Sequence, residues 1–353
     1  MVSGLSNAPS TPLGREGPKI ADVHVGLIGV GRIGAFHAQG LAELSNVDRL
    51  TVTDVDRKRA ADVAQRLGAQ LADTPQALLD SGVDALVIAA ATPAHAALLH
   101  MAAEARVPAF CEKPIALDVE TTDAVIERVE RAGILVQIGF QRRFDAGYRA
   151  AREAVSSGGL GDVQLIRIGT HDPAPPPEEY VAVSGGIWRD LAIHDFDIAP
   201  WVLGRAVVEV CAAGQANDPL FTRHDDVDAA AAVLRFEGGS LGIFSGMRND
   251  PRGYDVRMEV FGLRDSIVVG WSDRTPIRSV EPGVAAPDQP GYRDFIDRFA
   301  DAYRAELTGF LDTVRKGSAS LCTVHEARRA LVVALAADRS RRQNRPVRIE
   351  ELA

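Results

Sequence analysis

Lysine is almost missing from this chain. Its 353 residues hold four, Lys19, Lys58, Lys113 and Lys316, and arginine supplies the other 35 of 39 basic side chains. Where surface charge comes from arginine, a lysine in an apolar setting points to chemistry, because arginine stays protonated whereas a buried ammonium shifts its pKa and exchanges a proton. Cysteine is scarce too. Cys111, Cys211 and Cys322 are odd in number and far apart, which fits neither a disulfide framework nor a zinc site and points to a reducing, cytoplasmic compartment. Basic residues do not outnumber acidic ones. The net charge of -9 argues against nucleic acid as a partner, and Arg339-Ser340-Arg341-Arg342 reads as a solvated helix end. Long apolar runs are absent as well: the most apolar stretch, Ala85 to Ala91, is too short for a bilayer and stops at Thr92-Pro93, so no membrane partner is expected. Residues 1–20, rich in Gly, Pro and Ser and without the apolar core of a signal peptide, are expected to form a disordered leader. No internal repeat is found.

The rest is an alternation of short apolar runs and longer periodic segments. Strands are expected at Val23–Ile28, Leu50–Thr53, Ala85–Ala89, Ala109–Cys111 and Leu135–Ile138, with helices starting near Arg32, Arg57, Ala94 and Val119. This predicts an α/β chain whose first domain, residues 21–140, is a Rossmann-type parallel sheet. Such a sheet binds its ligand at the carboxyl ends of its strands. Here those ends carry Gly29–Gly34, Asp54, Thr92-Pro93, Lys113 and Gly139–Arg142. From about residue 141 to 353 the texture changes to an α+β domain with a large, mostly antiparallel sheet. A helix is expected at Phe144–Ser156, then strands at Val163–Ile168, Val207–Ala213, Val227–Phe236, Ser240–Ser245, Arg257–Phe261 and Ser266–Val269, with a turn at Glu237-Gly238-Gly239. Helices are expected over Asp190–Leu203, Phe295–Val314 and Val324–Arg342. An open sheet needs cover on its second face, and self-association into a dimer or tetramer supplies it.

Gly29-Val30-Gly31-Arg32-Ile33-Gly34 is a G-x-G-x-x-G that follows a strand and opens a helix, the context of a dinucleotide fingerprint. Gly29 permits the tight turn, Gly31 the approach of a pyrophosphate, and Gly34 close packing of helix on strand. Asp54 stands 20 residues after Gly34. A carboxylate there accepts from ribose hydroxyls and repels a 2′-phosphate, which favours NAD over NADP. The alternative is a helix N-cap, a role open to Asp56 as well.

The second centre joins Cys111-Glu112-Lys113-Pro114 with Gly185-Gly186-Ile187-Trp188-Arg189-Asp190-Leu191-Ala192-Ile193-His194. On a continuous helix Asp190 and His194, four apart, leave one face. Lys, Asp and His together suggest proton removal from a substrate hydroxyl. Asp190, His194, Asp195 and Asp197 can also be imagined around a divalent ion, but nothing else supports one and no metal is expected.

Together these residues resemble the Gfo/Idh/MocA family of NAD(P)-dependent oxidoreductases, and most closely its inositol 2-dehydrogenases. The matching pieces are the glycine fingerprint with His37, Thr92-Pro93-Ala94-His95, Glu112-Lys113-Pro114, Gly139-Phe140-Gln141-Arg142-Arg143-Phe144-Asp145, Ser184-Gly185-Gly186 through Asp197, and the tail Leu331–Pro346. The resemblance implies a catalytic group of Lys113, Asp190 and His194. His194 would act as base, since its ordinary pKa lies near operating pH. Asp190 would orient its ring, and Lys113 would hold the substrate oxygen. Cofactor contacts are expected from Gly29, Gly31, Arg32, Ile33, Gly34, Asp54, Thr92, Pro93, His95 and Glu112. Substrate contacts are expected from Arg142, Asp172, Asp197 and Tyr254. The implied reaction is oxidation of a cyclic polyol with NAD. A sugar or amino-cyclitol oxidoreductase and a non-catalytic NAD-binding regulator are the alternatives. Arg248-Asn249-Asp250-Pro251-Arg252-Gly253-Tyr254-Asp255, Gln141 and Pro200 depart from the inositol dehydrogenase pattern where a polyol would be read.

Overall fold

Every residue of β1 (Val23–Ile28) is buried, as a strand covered on both faces of a parallel sheet must be. In this computed structural model, which describes residues 23–352, it is joined by β2 (Val47–Thr53), β3 (Gln70–Leu71), β4 (Ala85–Ile88), β5 (Ala109–Glu112) and β6 (Val136–Gly139). The expected leader lies outside the described residues. The six strands form a parallel sheet in the order β3-β2-β1-β4-β5-β6. Its crossover helices are α1 (Arg32–Glu43), α2 (Arg57–Leu67), α3 (Pro75–Asp80), α4 (Thr92–Ala105) and α5 (Val119–Ala132). Local chemistry sets their bounds. Asp56 and Asp118 accept the N–H groups of Arg59 and Thr121 at the starts of α2 and α5, and Gly68 and Gly133 end those helices in the left-handed region. Strand order reverses between β1 and β4, so the crevice that binds ligands in such sheets opens at their carboxyl ends.

A 3₁₀ turn (Gln141–Phe144) and α6 (Ala146–Ser156) lead from β6 to β7 (Val163–His171). Three short helices follow, α7 (Glu178–Ser184), α8 (Gly186–Asp190) and α9 (Ile193–Leu203). Then come β8 (Val207–Gln215), α10 (Pro219–Arg223), β9 (Ala229–Phe236), β10 (Leu241–Met247), β11 (Asp255–Gly262) and β12 (Ser266–Val269). The helices α11 (Phe295–Lys316) and α12 (Val324–Gln343) and the short β13 (Val347–Arg348) complete the chain. The second sheet runs β12-β11-β7-β10-β9-β8-β13. Only β7 and β10 pair parallel, and the other pairings are antiparallel. The expected architecture, a Rossmann sheet followed by a mostly antiparallel one, is the one observed. Burial alternates strictly along β10, as in a sheet with one covered face. The covered face packs under α6, α9 and α12 around Trp188, Phe196 and Phe244. On the other, Val233, Leu241, Ile243 and Met247 are exposed.

Beyond the short elements β3, α3, α7, α10 and β13, which the sequence reading does not include, two features differ from it. The segment Asp190–Leu203 is not one helix: the Ala192 N–H reaches five residues back to the Ile187 carbonyl at 2.9 Å, a widened turn between α8 and α9. The last helices also serve both sheets. Leu307, Phe310 and Leu311 of α11 pack into the core of β1 and β2. In α12, Ala327 and Leu331 face the α4 and α5 side of the first sheet, while Val333 and Ala337 face the second. Among the described residues no helix is long and apolar enough to cross a membrane.

Candidate active site

The glycine loop is built by contact distances. A Cβ on Gly29, at φ +92°, would lie 2.6 Å from the Ala90 nitrogen, and one on Gly34 would lie 2.0 Å from the Gly29 carbonyl oxygen. Only glycine lets α1 start this close to β1 and β4. Gly31 is open, with nothing within 4 Å of an added Cβ. No side chain caps α1, so its first N–H groups stay available to an anion. A cavity of about 470 Å³ beside this opening is lined by Val30, Gly31, Arg32, Lys58, Arg59 and Arg66 among others. These residues fit the phosphates and adenosine of a dinucleotide. Asp54, just past β2, accepts the Val30 N–H on Oδ2 at 2.7 Å, and on Oδ1 the Asp56 N–H and Arg59 Nη2, both at 2.8 Å. Burial would raise its pKa, but the bonds from Arg59, Asp56 and Val30 outweigh it and keep the carboxyl below its usual range. A carboxylate oxygen accepts two bonds, so Oδ2 has a place left for a ribose hydroxyl. Asp56, not Asp54, caps α2. Thr92 and Pro93 open α4 at the neighbouring strand end, again without a side-chain cap.

Lys113 follows β5 directly. Its Nζ donates to the Asp190 carbonyl oxygen at 2.8 Å and to Asp190 Oδ1 at 3.1 Å. Asp190, the last residue of α8, also accepts the Tyr180 hydroxyl on Oδ1 and Arg248 Nη2 on Oδ2, both at 2.7 Å. Burial would protonate this carboxyl, but the Lys113 and Arg248 cations outweigh it and hold the group well below the ordinary range. His194 lies in the first turn of α9, its ring edge-on to Phe140 at 5.9 Å. Burial, and then the cations of Lys113 and Arg142, push its pKa well below the usual value against the pull of Asp190. Its Nδ1 is buried without a partner. A neutral imidazole beside a fixed ammonium can take a proton from a hydroxyl.

The structure corrects several roles expected from sequence. Asp190 does not orient His194: the widened turn breaks the four-residue spacing, and the carboxylate is taken by Lys113, Tyr180 and Arg248. His95 is 1% exposed, its ring nitrogens on the Pro114 and Ala90 carbonyls at 2.7 and 2.9 Å, so it ties two loops together rather than touching a cofactor. Glu112 turns toward α1, where Oε1 meets buried His37 Nε2 at 2.7 Å. Arg32 contributes its place at the helix start, while its guanidinium reaches Asp294 at 3.2 Å and lies over Phe295. The Ile33 side chain packs against the second core.

Of the four expected substrate contacts, two are internal ion pairs. Arg142 is fully buried on Asp195 and Thr170, each at 2.7 Å. Asp197 is held by both Arg143 Nε and Nη2, at 2.8 and 2.5 Å, and burial raises its pKa against that pull. Asp172 does belong to the centre, through Arg248 Nη1 at 2.8 Å. Tyr254 sits nearby, stacked edge-on against Phe299. Sequence reasoning missed Tyr180 and Arg248. Tyr180, in α7 just after Pro175-Pro176-Pro177, carried no sequence signal of its own; Arg248 had one, the departure from pattern at the end of an apolar strand.

Comparisons with known proteins bear on the fold and the family. Residues 23–140 match the family described as an oxidoreductase family with an NAD-binding Rossmann fold, and residues 148–268 match the GFO/IDH/MocA C-terminal domain. A myo-inositol 2-dehydrogenase of Thermotoga maritima is 35% identical over 94% of this chain and 99% of its own. The myo-inositol dehydrogenase Hyg17 of Streptomyces leeuwenhoekii is 39% identical over 90% of this chain and 96% of its own. The crystal structure of scyllo-inositol dehydrogenase from Lactobacillus casei, with bound NAD(H) and scyllo-inositol, superposes with a TM-score of 0.85 at 26% identity, covering 93% of this chain and 99% of that one. A glycine cradle that fits NAD and relatives that match almost end to end lead to one assignment: the chain belongs to the Gfo/Idh/MocA family of NAD-binding oxidoreductases.

Proposed function

We propose that this protein oxidises a secondary hydroxyl of a cyclitol, myo-inositol or a close derivative, to the ketone. The observation that carries the reading is the Lys113–Asp190 hydrogen-bonded pair in a centre where His194 keeps a buried ring nitrogen without a partner, Lys113 standing at the strand ends that bear the glycine cradle. NAD, bound along that cradle, supplies the acceptor for the substrate's hydride. Lys113 donates to the substrate oxygen and favours the negative charge that develops there as the proton leaves. His194 accepts the proton, and its low basicity means it is already free to do so at neutral pH. Asp190 keeps the ammonium aimed. Asp172 and Tyr254 read neighbouring hydroxyls, and a site that hydrogen-bonds hydroxyls rejects analogues lacking them. The inositol dehydrogenase names of the Thermotoga and Lactobacillus relatives support a cyclitol.

The second reading is a sugar or amino-cyclitol of the same ring size; of these the neutral sugar is favoured by Arg248, which brings a residue of the departing segment into a centre whose charges balance. A steady-state screen of NADH formation separates the two. We expect the highest kcat/KM with an inositol and no turnover of cyclohexanol or 2-propanol. A higher value for glucose or an amino-cyclitol than for every inositol would favour the second reading, and no turnover of any polyol would defeat both. The uncovered sheet face, with Val233, Leu241, Ile243 and Met247 exposed, is proposed to pair with a second copy in a dimer or tetramer. The protein is proposed to work in the cytoplasm, where its three free thiols stay reduced.

A further inference from the structure

Arg248 comes from the segment that departs from the inositol dehydrogenase pattern, and the reaction above leaves it without a task. It follows β10 directly. Met247 of β10 lies opposite His171 of the parallel strand β7, so Arg248 and Asp172 leave neighbouring strand ends. The backbone there is pinned. Arg248 N–H donates to the Asp228 carbonyl at 2.8 Å, Asp172 N–H to the Met247 carbonyl at 2.8 Å, and Asp250 N–H to the Asp172 carbonyl at 2.7 Å. From this anchor the side chain runs inward, 5% exposed, and its guanidinium forks. Nη1 donates to Asp172 Oδ2 at 2.8 Å and Nη2 to Asp190 Oδ2 at 2.7 Å. Asp190 gives its other oxygen to Lys113 and Tyr180. Asp172, Arg248, Asp190 and Lys113 thus form a row of alternating charge that sums to zero.

Each link constrains the next. Without the guanidinium, Asp172 and Asp190 would face each other as like charges, and burial already raises the Asp172 pKa against the pull of Arg248. Asp190 would keep partners on Oδ1 alone, leaving its carboxylate free to turn and the Lys113 ammonium with a single fixed bond, to the Asp190 carbonyl oxygen, about which it can swing. Arginine suits the position because its planar fork spans two carboxylates, whereas an ammonium is a point charge. A balanced pocket also suits an uncharged ligand, since an anionic or cationic substrate would bury an unpaired charge.

We propose that Arg248 is a positioning residue for the oxidation: its fork sets the Asp190 carboxylate, and through it the Lys113 ammonium, in a pocket balanced for an uncharged polyol. The inference rests on the reading of Lys113 and His194 given above. The test compares R248M and R248K with the wild type by NADH fluorescence titration, by steady-state kinetics on the best cyclitol, and by the crystal structure of R248M. Small misplacements of reacting groups cost about 10²-fold in rate, so kcat of R248M should fall by about that factor with NADH affinity unchanged. R248K should recover part of the loss, and Asp190 should turn from Lys113 in the R248M crystal. A kcat of R248M near that of the wild type would overturn the proposal. So would equal losses in both variants accompanied by weakened NADH binding, or an Asp190–Lys113 contact unaltered in the crystal. If R248M does not fold, R248K carries the kinetic test, and wild-type kcat in R248K would overturn the fork. If the wild type oxidises no cyclitol, the functional reading fails by itself, and the crystal structure still decides whether Arg248 sets Asp190.

Discussion

Lys113 Nζ is held twice by one residue, through the carbonyl oxygen of Asp190 at 2.8 Å and its carboxylate at 3.1 Å. The ammonium is therefore fixed before any substrate arrives, a geometry that lowers the cost of aligning a reacting oxygen. Lys113→Met and His194→Ala should each lower kcat by about 10²–10⁴-fold, the range for loss of a positioned acid–base group. NADH affinity, read by fluorescence titration, should hold, because neither side chain belongs to the glycine loop or to Asp54. Near-normal turnover in either variant would remove that residue from the mechanism.

The pH profile follows from the direction of the His194 shift. Burial and the Lys113 and Arg142 cations depress its pKa, so the ring is neutral over more of the pH range than a free imidazole. Oxidation should rise with pH through that depressed value and already be level by neutral pH. A log kcat/KM profile whose acid limb bends at or above about 6.5, the ordinary histidine value, would contradict the assignment of His194 as base.

Cofactor preference should turn on Asp54 and its neighbour Arg59. The 2.8 Å bond between Arg59 Nη2 and Asp54 Oδ1 ties up a guanidinium that lines the adenosine cavity. The wild type should prefer NAD because the carboxylate occupies the space of a 2′-phosphate. Asp54→Ser removes that charge and frees Arg59 for the phosphate, so NADPH affinity should rise even without a new basic residue at Val55. Asp54→Ser with arginine at Val55 should shift the preference further. Equal use of both cofactors by the wild type would sink this account.

Asp197 should matter for stability rather than for substrate. Its carboxylate is buried on Arg143, which also reaches Glu326 Oε1 at 2.7 Å. Breaking a buried pair by removing one partner costs about 3–5 kcal/mol. Asp197→Asn should therefore lower Tm by several degrees while leaving KM for the cyclitol near the wild-type value. A large rise in KM with Tm unchanged would return Asp197 to the substrate pocket.

The parallel sheet is legible in the sequence because each βα unit carries its own signals, an apolar run closed by glycine, proline or an aspartate cap. The two-residue strands β3 and β13 carry no pattern to read. The glycine cradle is legible for the same local reason, since contacts near Gly29 and Gly34 leave no room for a Cβ. Pairing of distant charges is not local. Arg142 and Arg143 are adjacent in sequence, yet one goes to Asp195 and the other to Asp197, more than 50 residues away. Helical spacing put Asp190 and His194 on one face, and a single widened turn at Ala192 undid it. A burial-driven partner choice of that kind depends on which elements meet in three dimensions.

The most direct test follows the transferred atom. The protein is incubated with NAD and with myo-inositol deuterated at the carbon that bears the axial hydroxyl, and the reduced cofactor is analysed by mass spectrometry. The account predicts reduced cofactor that carries the deuterium, together with a ketone at that carbon. Unlabelled reduced cofactor, or none beside active turnover of another ring alcohol, would contradict it.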